Sequence, residues 1–524
     1  MFRSNNYCNY LIHKHMKSKI LIVLSLIFII GCTSDLDEKL GGELTADQAA
    51  ELTSGTQFLN SAYQALQSFE TQDLVWAMQE HTSDEVVGPT RGGDWDDNGI
   101  WRQLHQHTWD AGHTFVENTF NSLSNGVFQS IQALSSVDLS ASEKAQAQFL
   151  QAWFVFHVLD LYGQVPFREG GEDLRLPARV LKGQEAVDLI VSNLEEAIPN
   201  LSTDGNTGIV SKAAANALLA KVLLNKSVYV TGGASPSFDT ADLDKVIANC
   251  DAVINSGNYS LSNGLGYYDN FRPDNDVNPG ASEVIFVSKH SRGEPGGNVA
   301  SRWFMTLHYN QNPGGWNGFT TLSEFYQKFT DNNDVRKGNQ VLNGLTNISG
   351  LKAGFLEGQQ FNEAGIPVKD RLGNPLSFTV NSPIISSGNN LEVTGVRGIK
   401  YIPDYDNTGT PNNDYVLLRY SDVLLMKAEA MLRKGNSAGG LAIVNEIRLT
   451  RNALPLTGLD LQSMLDERGR ELWWEGWRRQ DQIRFGTFLD AGSNKQSSSA
   501  TFLLFPIPSV AISSNPNLIQ NPGY

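Results

Sequence analysis

The stretch Leu465–Phe488, LDERGRELWWEGWRRQDQIRFGTF, holds three of the chain's ten tryptophans within five positions: Trp473, Trp474 and Trp477. Around them stand Glu467, Arg468, Arg470, Glu471, Glu475, Arg478, Arg479, Asp481 and Arg484. No proline interrupts the run, and opposite charges lie three and four residues apart, so the spacing predicts a helix. Glu467 would meet Arg470, and Glu475 would meet Arg478 or Arg479. Glu467, Glu471 and Glu475 recur every four residues on one face. Paired carboxylates serve glycosidases as acid and base. A carboxylate flanked by arginines has its pKa pushed down, however, which is wrong for a general acid. The pattern reads as an ion-paired seam between helices, with the tryptophans as packing.

The same wording resembles the SusD/RagB family of outer-membrane nutrient-binding lipoproteins. The carriers are Glu467-Arg468-Gly469-Arg470-Glu471-Leu472, Glu475-Gly476-Trp477-Arg478-Arg479-Gln480-Asp481 and Arg484-Phe485-Gly486. The ending, Pro506-Ile507-Pro508 and Asn515–Tyr524, is similar to that family's as well. The resemblance runs over residues 32–524, more loosely across 260–400. It implies a mainly α, SusD-like domain: a scaffold of tetratricopeptide-like helix pairs over about 45–260 and 416–490. An irregular ligand-binding lobe with short strands, about 261–415, would be inserted in it and joined by the loop 82–110.

The front of the chain gives an independent signal. Lys17 and Lys19 precede an eleven-residue apolar run, Ile20–Ile30, and then Gly31-Cys32. That run is too short to span a bilayer. It has the layout of a signal peptide over 1–31, for which Met16 is a more natural start than Met1. Ile29-Ile30-Gly31-Cys32 resembles a bacterial lipobox, so Cys32 would carry acyl chains, each buried CH₂ adding about 0.8 kcal/mol of anchoring. Asp35-Leu36-Asp37-Glu38 follows, an acidic tract of the kind the family uses to reach the cell surface. With Cys8 removed and Cys32 acylated, Cys250 is left alone, so no disulfide is expected, and it reads as a small buried apolar residue. Loss of Arg3, Lys14, Lys17 and Lys19 would leave 36 basic against 56 acidic residues, a net charge of −20. That argues against nucleic acid and favours a neutral polymer over a polyanion.

No linker divides the rest. Periodicity predicts helices at 45–70, 114–135, 141–162, 184–198, 211–229, 241–256, 322–329, 416–434, 438–452 and 461–485. Irregular stretches near 82–110, 258–320 and 335–415 contain strand-like runs such as Glu283-Val284-Ile285-Phe286-Val287. Four helix pairs read as tetratricopeptide-like units: 45–70 with 114–135, 149–162 with 184–198, 211–229 with 241–256, and Leu424–Asn452 folded at Gly435-Asn436.

Several motif matches fail on context. Gly435-Asn436-Ser437-Ala438-Gly439 spells a nucleophile elbow, but a helix rather than a strand precedes it. Asp404-Tyr405-Asp406-Asn407-Thr408-Gly409 opens like a calcium loop but has Tyr415 where the bidentate Glu belongs, so calcium is unsupported and no cofactor is expected. His105, His107 and His113 lack a completing ligand set and read as structural.

Asp84–Trp109 is the strongest site candidate. Its polar cluster, Arg91, Asp94, Asp96, Asp97 and Asn98, surrounds Trp95 beside the flexible Gly92-Gly93. An indole stacks on the C–H face of a sugar while Asp, Asn and Arg bond its hydroxyls. Trp101 and Trp109 have apolar neighbours and read more as core, and burial of all three tryptophans is the competing reading. A second candidate is Trp316 in Asn312-Pro313-Gly314-Gly315-Trp316-Asn317-Gly318, a tryptophan with few neighbours to bury it. In starch-binding members of the resembled family, tryptophans at corresponding positions and a tyrosine form an aromatic arc. The resemblance gives Trp95 and Trp316 those places, Tyr309 or Trp303 the third, and Asn317 an adjacent polar role.

The expected function is a surface-exposed, lipid-anchored outer-membrane protein without enzymatic activity. It would bind a polysaccharide or oligosaccharide, a neutral glucan as the first guess, and deliver it to a TonB-dependent, SusC-like transporter. The rival readings are a helical glycoside hydrolase and a tetratricopeptide scaffold that binds only proteins.

Overall fold

The computed structural model describes residues 54–91, 94–203, 207–233, 236–345, 348–382 and 390–524. The expected signal peptide, Cys32, the acidic tract and Gly92-Gly93 lie outside them. Gly55–Ala65 packs on Thr114–Ser135, Ala141–Tyr162 on Gly183–Ala197, Lys212–Thr231 on Thr240–Ile254, and Tyr420–Arg433 on Ser437–Thr450. These are the four pairs the sequence predicts. Successive pairs also touch: Gly183–Ala197 meets Lys212–Thr231, and Thr240–Ile254 meets Tyr420–Arg433. Stacking of this kind buries the face that one pair alone would leave exposed. Cys250 is buried and free. Among the described residues no helix is long and apolar enough to cross a membrane.

Local chemistry sets the helix ends. Ser140 and Glu143 form a reciprocal capping box, and Ser211, Asp239 and Asn436 accept from first-turn amides. Such a cap contributes about 1 kcal/mol. Gly163 and Gly232 close the two central helices at φ 69° and 68°, where a Cβ would be strained. Gly126 has a packing role instead, since a Cβ there would lie 2.4 Å from the buried Phe154 ring of the next helix.

Three predicted helices are corrected. The segment 416–434 begins as a strand, Tyr415–Arg419, paired antiparallel with Val284–Ser288. Its residues are all buried, so the apolar run has no exposed face by which to distinguish strand from helix. The segment 322–329 shrinks to Ser323–Tyr326. The segment 461–485 is two helices, Leu461–Leu472 and Arg478–Phe485. At the break Trp474 has φ 60° and Gly476 φ 84°. The turn's amides have other acceptors: Trp474 N–H donates to Glu85 Oε2 at 2.8 Å and Gly476 N–H to Glu80 Oε1 at 2.5 Å. The ammonium of Lys400 donates to Trp473 O at 2.8 Å.

That break re-aims the charges. Glu467 does meet Arg470, at 2.8 Å, but Glu475 pairs with Lys400 and Arg419 instead of Arg478 or Arg479. Arg478 turns to Asp84 and Arg479 to Asp160. Glu471 is held by Arg336, Arg419 and Arg451 from outside the stretch, with every one of these side chains buried. Burial pushes these carboxyls up, but the arginines overcome it and hold Glu467 down to about 2 and Glu471 well below the usual range. A general acid would need the opposite shift.

The region expected to be irregular contributes short antiparallel ladders: Val86–Val87 with Thr320–Thr321, Gly354–Leu356 with Arg397–Ile399, and Gly358–Gln359 with Ser377–Phe378. A bridge from Thr321 to Val396 links the first two. Residues near 91, 318 and 394 are thereby brought to one place. The loop 82–110 is also more ordered than predicted, since Ile100–Gln106 is a helix. His105, His107 and His113 are buried and each bonds a backbone carbonyl, of Ser493, Thr82 and Ile100 respectively.

Candidate functional site

Both glycine-flanked tryptophans come to the same surface. Trp316 is 53% exposed, and one ring face stacks on Phe304 at 6.1 Å and 17°. Among the described residues no second ring stacks on Trp316. Trp95, half-buried, donates its indole N–H to Trp316 O at 2.7 Å and leans on Trp101 and Phe319. Gly318 makes this possible, because a Cβ there would sit 2.3 Å from the Trp95 ring. The Trp95 loop is strained: Trp95, Asp97, Asn98 and Gly99 have φ of 63°, 42°, 53° and 80°. Non-glycine residues adopt such values at a cost, and clusters of them mark constrained sites.

The polar residues divide into two groups. Arg91 and Asn317 are buried beneath the surface, which corrects their expected place as ligand contacts. Arg91 spends its donors on backbone: Nε to Asn317 O at 3.0 Å, Nη1 to Leu391 O at 2.9 Å, and Nη2 to Gly318 O at 3.0 Å. Asn317 accepts from Arg397 at 2.9 Å and donates to Glu392 O at 3.1 Å. Together they tie the loops at 91, 317 and 391 into one base. The other group is the half-buried Asp94 with the exposed Asp96, Asp97 and Asn98. Asp96 pairs with Arg102 at 2.9 Å, and Asp97 accepts the Trp101 indole N–H at 2.8 Å. Trp101 and Trp109 are buried.

Of the two candidates for a third ring, Trp303 is fully buried and lies under Phe304, so it offers no face. Tyr309 is half-buried and donates its hydroxyl to Asp94 Oδ2 at 3.1 Å. Arg371 also donates to Asp94 Oδ2, at 2.9 Å, and forms an ion pair with Glu392. Its guanidinium lies over the Tyr309 ring, 4.1 Å from the centroid. Burial and the neighbouring Asp94 push the Tyr309 hydroxyl up to about 12, and the bond from Arg371 lowers the Asp94 carboxyl.

Sequence reasoning misses Arg371, Glu392 and Phe304. Arg371 sits in Asp370-Arg371-Leu372-Gly373-Asn374, where Asp370 accepts from Leu372 N–H and Asn374 N–H and fixes a tight turn. The turn is legible in those residues, but its contact with a loop 277 residues away is not. The rejected calcium loop also has an explanation. Asp404 accepts from Arg292 Nε at 2.7 Å, and Asp406 pairs with the same guanidinium at 3.2 Å, so an internal cation already faces these carboxylates. Among the described residues no cluster of metal-ligating side chains is present.

The architecture has counterparts among known proteins. Residues 255–498 match the family model described as SusD family. The starch-binding protein SusD of Bacteroides thetaiotaomicron is 26% identical over 426 residues, covering 73% of each chain. The chain is SusD-like. A second relative, SusD-like protein P38 of Formosa agariphila, is 22% identical and spans 98% of this chain and 99% of its own. Among solved structures, a SusD superfamily protein from Parabacteroides distasonis superposes with a TM-score of 0.68 at 21% identity, covering 92% of this chain and 100% of that one. A laminarin-binding SusD-like protein gives 0.69 at 20% identity, covering 90% and 99%. In this SusD-like chain the matched region includes Trp303, Tyr309, Trp316, Arg371 and Glu392, whereas the Trp95 loop lies before it.

Proposed function

We propose that this SusD-like protein binds a neutral glycan without altering it, on the surface formed by Trp316 and Trp95. Asp94, Asp96, Asp97 and Asn98 are placed to bond sugar hydroxyls. The open indole face of Trp316 carries this reading, because an aromatic ring backed by Phe304 and level with exposed polar side chains matches the two faces of a pyranose. Relatives named for starch and laminarin binding support the ligand class. The exposed carboxylates outnumber the cations beside them, which favours an uncharged sugar. A protein of this kind, anchored through an acylated Cys32 at the outer membrane, would hand its ligand to a TonB-dependent transporter.

Electrophoresis through gels containing starch, laminarin or another neutral polysaccharide tests the reading. The protein should be retarded by at least one polymer. Trp316→Ala should weaken that binding about 10- to 100-fold, the equivalent of about 1.5–3 kcal/mol for an aromatic side chain. Unchanged retardation in both Trp316→Ala and Trp95→Ala would place the site elsewhere. New reducing ends after incubation would overturn the absence of chemistry.

A further inference from the structure

The rings around this site are not equally available. Trp316 has an open face. Tyr309, from the same segment, has a guanidinium 4.1 Å from its ring centroid, about where a stacked pyranose would sit. Arg371 is fixed there by Asp94 on one side and Glu392 on the other. Glu392 is itself bonded by the buried His308 at 3.1 Å. Arg371 belongs to a small meander, 358–378, whose turns close at 362–366 and 370–374 through backbone bonds. Its own side chain is 45% exposed, and when it is removed Glu392, 15% exposed, keeps its bond to His308.

We propose that Arg371 is a specificity-determining residue: its guanidinium occupies the Tyr309 ring face in place of a sugar and ends the binding surface there. Trp316 and Trp95 then set the length of glycan that is recognised, and Tyr309 acts as a covered end. This rests on the reading that the Trp316 surface holds a neutral glycan. A cation–π contact reinforced by two carboxylates is a self-contained plug. A longer chain reaching Tyr309 must displace all of it, so additional sugar units gain little.

The test is calorimetric titration with malto- and laminari-oligosaccharides of increasing length, using the full mature chain. Affinity of the wild type should level off with length. With Arg371→Ala it should go on rising, with the longest oligosaccharide bound roughly three- to ten-fold more tightly than by the wild type. Arg371→Gln should behave in the same way, and Tyr309→Ala added to Arg371→Ala should cancel the gain. If both Arg371 variants keep the wild-type length profile, or bind every length more weakly while Trp316→Ala still weakens binding, the end-stop is wrong and the glycan site stands. If the wild type binds no member of either series, both readings fall.

Discussion

The turn at Trp473–Trp477 and the surface at Trp95 and Trp316 use the same chemistry, tryptophans set among charged side chains, to opposite ends. In the turn the indoles are buried and the carboxylates of Glu467, Glu471 and Glu475 are held by guanidiniums and an ammonium from distant segments. On the surface one indole face is open, and Asp96 and Asp97 each hold one side-chain partner while Asp94 holds two, Tyr309 and Arg371, on a single oxygen. What separates scaffold from site is therefore how many of the polar atoms and ring faces the protein itself has already used. Residue type alone does not make the distinction.

The sharpest way to break the comparison is to remove one member of the internal set. Glu471→Ala would strand Arg336, Arg419 and Arg451 in the core without their shared carboxylate. Leaving buried charge unpaired costs about 3–5 kcal/mol, so urea unfolding should show a loss of that size. Any protein that still folds should keep its glycan affinity. A variant with normal stability would mean that these ion pairs do not hold the turn.

A smaller effect is expected from Glu80, which accepts the Gly476 amide and lies against Glu85. Burial raises its carboxyl to about 7, with Glu85 hydrogen bonding in the opposite sense. A carboxyl whose pKa is raised on folding contributes stability that is present below its unfolded pKa and lost as pH climbs to the folded one. Glu80 alone should therefore contribute a loss on the order of 2–3 kcal/mol between about pH 4.5 and 7, while the buried histidines His81, His105, His107 and His157, lowered by burial, act in the opposite sense. Glu80→Gln, which can still accept from Gly476, should remove the Glu80 contribution, so that across this range its melts gain more stability with rising pH, or lose less, than those of the wild type. An unchanged slope would show that Glu80 enters the core ionised.

The two regions were unequally legible. The helix Ala141–Tyr162 is written locally, in the Ser140–Glu143 box and the stop at Gly163, and the sequence predicts it to the residue. The break after Leu472 is not local. It depends on Glu80 and Glu85, nearly four hundred residues earlier, accepting amides that a continuous helix would have used internally. The openness of Trp316 could be read from its glycine, proline and asparagine neighbours, which have little side chain with which to cover a ring. Burial of Trp303 could not, because the residues that cover it are brought in by the fold. Nor could the cover on Tyr309, since Arg371 arrives from a separate turn.

The finest test of the comparison uses one substitution in each setting. At Gly126 and at Gly318 an added Cβ would come within 2.4 Å and 2.3 Å of an aromatic ring. Phe154 is fully buried between helices and cannot withdraw, so Gly126→Ala should cost about 1–3 kcal/mol of overpacking. Alanine's better helix propensity offsets about 1 kcal/mol of that. Trp95 is half-exposed, so with Gly318→Ala its ring can swing toward solvent, at the expense of the bond to Trp316 O. That bond is worth about 1 kcal/mol, so stability should fall by no more than this. Glycan affinity should drop several-fold, because the ring beside Trp316 is displaced. The two variants should thus trade places between a thermal melt and a binding titration. Equal losses of stability would show that the Trp95 surface is packed as tightly as the core.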